Sequence, residues 1–219
     1  MKSFSKWTIE DVEETFHVVL HKYDDQLQDW MASHIPPSPE EHEQLGRLQE
    51  KLLDHVWDWN EEELKVYFII PLLNVINFEQ TEYQPFLNRE LSVEYHHDTV
   101  GGTVDFMVAS GKRSPKNPYF FIHEYKKEHD ASNDPLGQLM IAMVTAQLLN
   151  NDGHPVYGAY VMGRYWHFVI LVGQHYAVHT GLNAAADEIL QIFSVLKKTK
   201  ELLDVWVQKR QNSLAKQDS

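Results

Sequence analysis

The first third of the chain carries apolar residues at helical spacing. After Thr8 they recur every three or four positions, as on one face of an α-helix, at Val12, Phe16, Val19, Tyr23, Leu27 and Trp30. A proline-rich break at residues 35–39 should end this helix. A second helix is predicted over residues 39–57, where Ser38 can cap the first turn and Pro39 is tolerated. We expect the two helices to form an antiparallel hairpin.

A third helix follows, and then the period of the pattern changes. Asn60 is placed to cap a helix over residues 61–76, which Pro71 should kink. Over residues 90–127 apolar and polar positions alternate, with glycine and proline at the breaks, which is typical of short strands. These residues therefore predict an antiparallel meander of three strands.

The rest of the chain returns to mixed patterns. We expect a helix over 136–150, strands over 156–162, 166–172 and 176–179, and a last helix from about 183 to 207 or beyond. This order of elements is typical of an α/β domain. We assign residues 59–213 to that domain, residues 1–58 to an acidic helical hairpin extension and residues 214–219 to a disordered tail.

Composition adds limits on the class of protein. The chain has 219 residues, of which 43% are hydrophobic and 23% charged, as in an ordinary folded domain. Its formal charge of −13 argues against a protein that coats nucleic acid. Residues 1–63 hold 16 acidic and 5 basic residues, so the remainder is nearly neutral. The acidic helices are thus a candidate surface for a protein partner, or an autoinhibitory cover over a basic site.

The chain contains no cysteine, which excludes disulfides, thiolate zinc sites and cysteine nucleophiles. The first ten residues lack the apolar run of a secretory signal, and no stretch reads as a membrane span. We expect a cytoplasmic protein with no membrane association. The oligomeric state stays open, and a homodimer is compatible with the sequence.

Three charged residues interrupt the most apolar strands. Asp105 lies in one strand, while Glu124 and Lys126 lie two residues apart in the next and therefore share a face. If the strands pair, two carboxylates and an ammonium group converge. Such charges are costly to bury unless they pair or bind a cation. Two carboxylates and a backbone carbonyl suit Mg²⁺ or Mn²⁺, and the lysine could act on an attacking water.

This arrangement resembles the PD-(D/E)XK nuclease superfamily. Its motif is similar to Asp105, eighteen residues, and then Glu124-x-Lys126. The local similarity is greatest to the nuclease domain of type I restriction endonuclease subunits and related small bacterial proteins. The resemblance implies a restriction-endonuclease-like core of order α-β-β-β-α-β, with a mixed sheet flanked by helices. It also implies a Mg²⁺-dependent or Mn²⁺-dependent hydrolase of phosphodiester bonds, with DNA as the expected partner.

The resemblance implies a role for each matching residue. Asp105, Glu124 and the backbone carbonyl of Tyr125 would hold the metal, with Lys126 acting on the attacking water. Glu61 would complete the metal shell, and Gln138 on the following helix would orient Lys126 or a phosphate. Two positions depart from the pattern: Val104 replaces the motif proline, and Ala142 replaces a tyrosine typical of RecB-like members.

Each of these assignments has a structural alternative. Glu124 and Lys126 could be an exposed charge pair, and Glu61, Glu62 and Glu63 could simply favour the positive end of their helix. Gln138 could bond a neighbouring loop.

Residues outside the motif have both functional and structural interpretations. His17 and His21 lie four residues apart, as two zinc ligands on one helix often do, but no third ligand is evident. The aromatic turn around Arg164 and Tyr165 could stack on a base, although packing against the sheet is favoured.

Basic residues lie close to the motif in sequence. Lys112, Arg113 and Lys116 lie in the loop that joins the two motif strands, and Lys127 follows the motif lysine. We expect them to contact the backbone of a nucleic acid. The main hypothesis is therefore a metal-dependent nuclease. The alternative is a catalytically inactive nuclease fold that serves as a binding or assembly module.

Overall fold

The computed structural model describes residues 2–96, 98–128 and 134–217, with side chains described as far as residue 212. The helices are α1 (Ile9–Phe16), α2 (Asp25–Met31), α3 (Pro39–His55), α4 (Glu61–Leu64), α5 (Ile70–Ile76), α6 (Pro135–Asn150) and α7 (Ile189–Gln217). The strands are β1 (Val19–Leu20), β2 (Gln84–Tyr95), β3 (Asp98–Ser110), β4 (Lys116–Lys126), β5 (Val156–Met162), β6 (Tyr165–Val172), β7 (His175–Val178) and β8 (Leu182–Asn183). A 3₁₀ turn spans Phe4–Lys6, and a π-helical turn, Lys65–Ile69, joins α4 to α5.

The strands form one mixed sheet in the order β1-β7-β6-β5-β4-β3-β2, with β8 added beside β6. The meander β2-β3-β4 is antiparallel, as expected. The chain then crosses through α6 so that β5 runs parallel to β4. An α/β fold with a mixed sheet flanked by helices is therefore confirmed.

Two hydrophobic cores cover the sheet. Side chains along β6 point alternately to the two faces, so Phe168 and Ile170 lie on one face and Val169 and Leu171 on the other. The first pair packs in a core to which α2, α3, α5 and α7 contribute, and the second packs in a core with α1 and α6. Each strand side chain thus has a helical layer to pack against, because period two sends neighbours to opposite faces.

Helix α6 is buried around nearly its whole circumference, with residues 137–146 all buried. It has no polar face because the sheet covers one side and α1 the other. Gly137 allows the close approach of α1: a Cβ there would lie 2.6 Å from the backbone nitrogen of Ile9. The carboxylate of Asp134 caps α6 and also accepts a hydrogen bond of 2.6 Å from that same N–H.

The prediction of one long first helix is wrong. Helix α1 ends at His17, which adopts a left-handed backbone conformation with φ of 56°. The chain then pairs with β7 as the short parallel strand β1, and α2 begins anew after Asp24, whose side chain caps it. Of the predicted stripe, Val19 and Tyr23 are exposed. Pairing with a distant strand overrides the helical period here, as tertiary contacts often do.

The prediction of an N-terminal hairpin that stands apart as an extension is also wrong. Phe4, Trp7 and Phe16 belong to the core around α6, whereas Trp30 and Leu52 belong to the core around α7. Residues 2–58 therefore cover both faces of the sheet rather than standing apart from it. Deleting residues 1–58, as a test of autoinhibition, would uncover both cores.

The C-terminal boundary and the third helix can now be compared with expectation. Helix α7 continues to Gln217, past the expected start of a tail at residue 214, and residues 218 and 219 lie outside the described residues. The third helix spans 61–76, as predicted. Its irregularity is the π-helical turn, in which the N–H of Ile70 bonds to the carbonyl of Lys65 just before Pro71.

No helix within the described ranges is both long enough and apolar enough to cross a membrane.

Enlarging Gly137 should loosen α1 from α6. Its Cβ would meet backbone atoms of Trp7, Thr8 and Ile9 at 2.5–2.6 Å, and backbone cannot move aside cheaply. We expect Gly137→Ala to lower the free energy of unfolding by about 2 kcal/mol, measured by urea denaturation. Gly46→Ala in α3 is the matched control, because nothing lies within 4 Å of its added Cβ. That control should be neutral or stabilising by about 0.5–1 kcal/mol. Equal effects at both glycines would contradict this account.

Candidate functional site

The β3–β4 ladder stops immediately before Asp105. Its paired positions run from Ser110 opposite Lys116 to Phe106 opposite His123. Beyond that pair, the backbone N–H of Tyr125 donates to Asp105 Oδ2 at 3.1 Å. A side-chain carboxylate thus satisfies an N–H that the ladder leaves without a strand partner. The two strands separate here, and we call the place where they part, between Asp105 and the last residues of β4, the cleft.

Glu124 and Lys126 project to the same side of β4, as their spacing predicted. Lys126 Nζ lies 2.8 Å from Glu124 Oε1 and 3.6 Å from Glu61 Oε2. The lysine is almost fully buried, and the Glu124 side chain is only 13% exposed. The pair is therefore not the exposed surface pair of the structural alternative. Asp105, Glu124, Lys126 and Glu61 come together at the cleft.

The three consecutive glutamates at the start of α4 have three different partners. The side chain of Glu63 accepts a hydrogen bond of 2.9 Å from the Asn60 N–H, completing the capping box at the start of α4. Glu62 turns outward and pairs with Lys65 at 2.8 Å. Glu61 is the one of the three that reaches Lys126. The helix cap thus accounts for Glu63, whereas the position of Glu61 fits the predicted site.

Lys65 is a site residue that the sequence reasoning missed. Its Nζ lies 3.8 Å from Asp105 Oδ1, 2.8 Å from Glu62 Oε2 and 3.4 Å from Asn88 Oδ1. The side chain is only 8% exposed. The available signal was its place four residues after Glu61, which puts both on one helical face. Two buried lysines, from a helix and from a strand, therefore offset the carboxylates.

Burial dominates the proton affinities at the cleft. Burial, with the nearby charge of Asp105, raises the pKa of Glu124 to about 7, although Lys126 opposes the shift. Burial also raises the pKa of Glu61, again against the attraction of Lys126. Burial alone would lower the pKa of Lys126, but the adjacent Glu124 carboxylate outweighs it and the pKa is raised. The cleft therefore disfavours further negative charge and favours a cation.

A hard divalent cation fits the donor set of the cleft. Asp105, Glu124 and the carbonyl of Tyr125 supply the oxygen ligands that Mg²⁺ and Mn²⁺ prefer. The contact between Lys65 and Asp105 Oδ1, at 3.8 Å, is too long for a hydrogen bond, so this oxygen keeps accepting capacity. In the arrangement of the described residues, no three His, Cys, Asp or Glu side chains cluster as ready metal ligands. Glu61 pairs with Lys126 at 3.6 Å, and the charge of Asp105 also acts on it.

The structure gives Gln138 no contact with the other predicted site residues among those it describes. It is buried in the first turn of α6, and its backbone N–H bonds to the carbonyl of Asp134. No hydrogen bond among the described residues joins its side chain to Lys126. Its predicted role in orienting that lysine stays a prediction.

The prediction that the basic loop lies beside the motif residues is wrong. Residues 111–115 join the opposite ends of β3 and β4, where the side chain of Gln84 binds the carbonyls of Gly111 and Lys112. Lys116 begins β4 and Glu124 lies eight residues further along it, about 25 Å away at 3.3 Å per residue. Lys112, Arg113 and Lys116 therefore lie far from the cleft, because an antiparallel connection places its loop at one end of both strands.

Lys127 differs from those three basic residues, because it directly follows Lys126 and is exposed at the cleft end of β4. His123 and Tyr125 face the core opposite to Glu124, as predicted, and the Tyr125 hydroxyl lies 3.3 Å from His123 Nδ1. They support β4 and do not enter the cleft.

Comparison of the chain with known protein families finds no match. Comparison with curated proteins likewise finds none.

Replacing Glu124 with glutamine should stabilise the metal-free protein at alkaline pH. The folded-state pKa of about 7 lies above the ordinary 4.5, so ionisation of Glu124 opposes folding. This cost is absent below the ordinary pKa and complete above the folded-state pKa. We expect Glu124→Gln to raise the free energy of unfolding by about 1–3 kcal/mol at about pH 8, and by almost nothing near pH 4.

Urea denaturation with a chelator present at both pH values measures this difference. Glu90→Gln, on an exposed position of β2, is the matched control for loss of a carboxylate. A gain that is equal at both pH values, or equal in both variants, would contradict the assignment.

Proposed function

We propose that the chain is a metal-dependent nuclease that hydrolyses phosphodiester bonds, with DNA as its substrate. The observation that carries the proposal is the meeting of Asp105, Glu124 and Lys126 where β3 and β4 separate, with Glu61 beside them. The same residues form the motif by which the sequence resembles PD-(D/E)XK nucleases. Their burial also argues for a function, since charged groups are costly to bury even when they pair.

Each residue has a defined task in this proposal. Asp105, Glu124 and the carbonyl of Tyr125 would hold the metal ion, which would supply electrophilic activation of the phosphate and of the attacking water. Lys126 orients that water and neutralises negative charge as it develops on the phosphate. Glu61 holds Lys126 in place from the opposite side at 3.6 Å and can join the metal shell. Lys65, with its Nζ 3.8 Å from Asp105 Oδ1, helps to hold that carboxylate in position by charge attraction.

A second candidate function is a nuclease fold that binds partners without catalysis. It is favoured by one specific observation, namely that the cleft carboxylates already have lysine partners: Lys126 pairs with Glu124 and Glu61, and Lys65 lies 3.8 Å from Asp105. In that case the two lysines balance the acids permanently and no metal is needed. The acidic N-terminal helices would then serve as a surface for a protein partner.

Removal of the Lys126 ammonium should abolish hydrolysis. We expect Lys126→Ala to reduce cleavage by about 10²–10³-fold, the typical loss for one group that stabilises transition-state charge. The assay is digestion of plasmid and of single-stranded DNA with Mg²⁺ or Mn²⁺. Lys112→Ala, in the distant loop, is the matched control and should keep nearly full activity. Equal activity in the wild type and Lys126→Ala, or none in either, would overturn the proposal.

Metal uptake separates the two candidates. For the nuclease we expect calorimetric titration with Mn²⁺ to show binding that Asp105→Ala weakens by at least about 10-fold, because a direct ligand is lost. Asp98→Ala, at the exposed start of the same strand, should bind as the wild type does. No uptake by the wild type, or uptake unchanged in Asp105→Ala, would favour the non-catalytic module.

A further inference from the structure

The turn between β5 and β6 lies against the cleft end of β4. The N–H of Gly163 donates to the carbonyl of Lys126 at 2.9 Å. The next N–H, of Arg164, donates to Glu128 Oε2 at 2.9 Å, and Arg164 Nε lies 3.2 Å from Glu128 Oε1. Gly163 has a positive φ of 56°, and a Cβ there would collide with Glu128. The position of Arg164 is therefore tied to the strand that carries Lys126.

Two aromatic rings flank the guanidinium of Arg164. Its central carbon lies 4.7 Å from the ring centroid of Trp57 and 5.3 Å from that of Tyr165. Trp57 is 56% exposed and Tyr165 is 40% exposed, whereas the adjacent Trp166 is fully buried. Trp166 therefore packs in the core, and the other two rings form a platform at the surface. We call Trp57, Arg164 and Tyr165 the aromatic platform.

A cavity of about 250 Å³ lies beside Trp57, one member of this platform. Its other lining residues are Val56, Asp58, Trp59, Asn60, Lys127 and Glu128. Asn60 directly precedes Glu61, and Lys127 directly follows Lys126, so the cavity adjoins two residues of the cleft. A planar heterocycle is smaller than this volume. Two indole rings, an ammonium group and two carboxylates thus border this concave surface, and the guanidinium of Arg164 lies behind it against the Trp57 ring.

We propose that the aromatic platform and its cavity bind an unpaired nucleobase, so that the cleft acts on single-stranded nucleic acid or on a frayed strand end. This inference rests on the proposed nuclease function. Aromatic and Arg faces stack on bases only when those bases are unpaired, and they do so without sequence preference. Lys127 is positioned for the adjoining phosphate.

The distribution of charge favours a single strand over a duplex. A duplex is held mainly by a broad basic surface that displaces its counterions. Residues 1–63, which include Trp57 and Asn60, hold 16 acidic and 5 basic residues, and the basic loop lies at the far end of the strands. Stacking supplies attraction that does not depend on such a surface.

The test compares oligonucleotides with and without bases. Fluorescence anisotropy with Ca²⁺ in place of Mg²⁺ would measure binding of a single-stranded thymidine oligomer of about 12 nucleotides, its abasic counterpart and a duplex. We expect Trp57→Ala to weaken binding of the thymidine oligomer by about 10-fold or more and to leave binding of the abasic oligomer unchanged. Trp57→Phe, which keeps a ring, should restore most of the affinity. Tyr23→Ala removes an aromatic side chain that is even more exposed, at 84%, and that lies outside the platform and its cavity, so it is the control.

The outcomes separate this inference from the function on which it rests. If Lys126-dependent cleavage occurs but Trp57→Ala binds every oligomer as the wild type does, the subsite is overturned and the nuclease stands. The subsite is also overturned if Trp57→Ala weakens the abasic oligomer or the duplex equally. If the wild type neither binds nor cleaves any nucleic acid, the proposed function fails, and the subsite fails with it.

Discussion

The hydrogen bond from the Tyr125 N–H to the Asp105 carboxylate is the contact on which the candidate site depends. It replaces a backbone carbonyl with a side chain at the point where the β3–β4 ladder ends. Before this point β3 pairs with β4, and after it β4 continues alongside β5 alone. The cleft exists because the two strands separate there. The same bond holds the Asp105 carboxylate against the end of β4, next to Glu124 and Lys126.

Buried carboxylates and buried lysines partly balance each other's charge at the candidate site. Glu124 and Glu61 are harder to ionise than in water, while Lys126 and Lys65 offset part of the negative charge. Such an arrangement costs stability in the absence of a cation, because carboxylates lose hydration that the lysines replace only in part. Sites that act chemically often carry this kind of cost. The cost itself is a physical reason to regard the cleft as functional.

The acidic N-terminal quarter has a structural task besides its charge. Its apolar residues complete the cores on both faces of the sheet, and its polar residues face solvent on the outside of the helices. The net charge of the whole chain therefore describes an outer layer and says little about the cleft. The last part of this layer, from Trp57 to Glu61, reaches the cleft itself. The layer thus contributes a carboxylate, that of Glu61, to the candidate site.

The sequence by itself determined the features that depend on local geometry. Alternation placed Glu124 and Lys126 on one side of β4, and the capping preference of Asn60 located the start of α4. Tertiary structure decided what depends on distant partners. Helix α1 stops at His17 because the next residues pair with β7, some 150 residues later in the chain. Lys65 reaches Asp105 only once α4 packs against the sheet, and the basic loop lies far from the cleft because β3 and β4 are antiparallel. A local pattern fixes which way a side chain points, but only packing fixes what it meets.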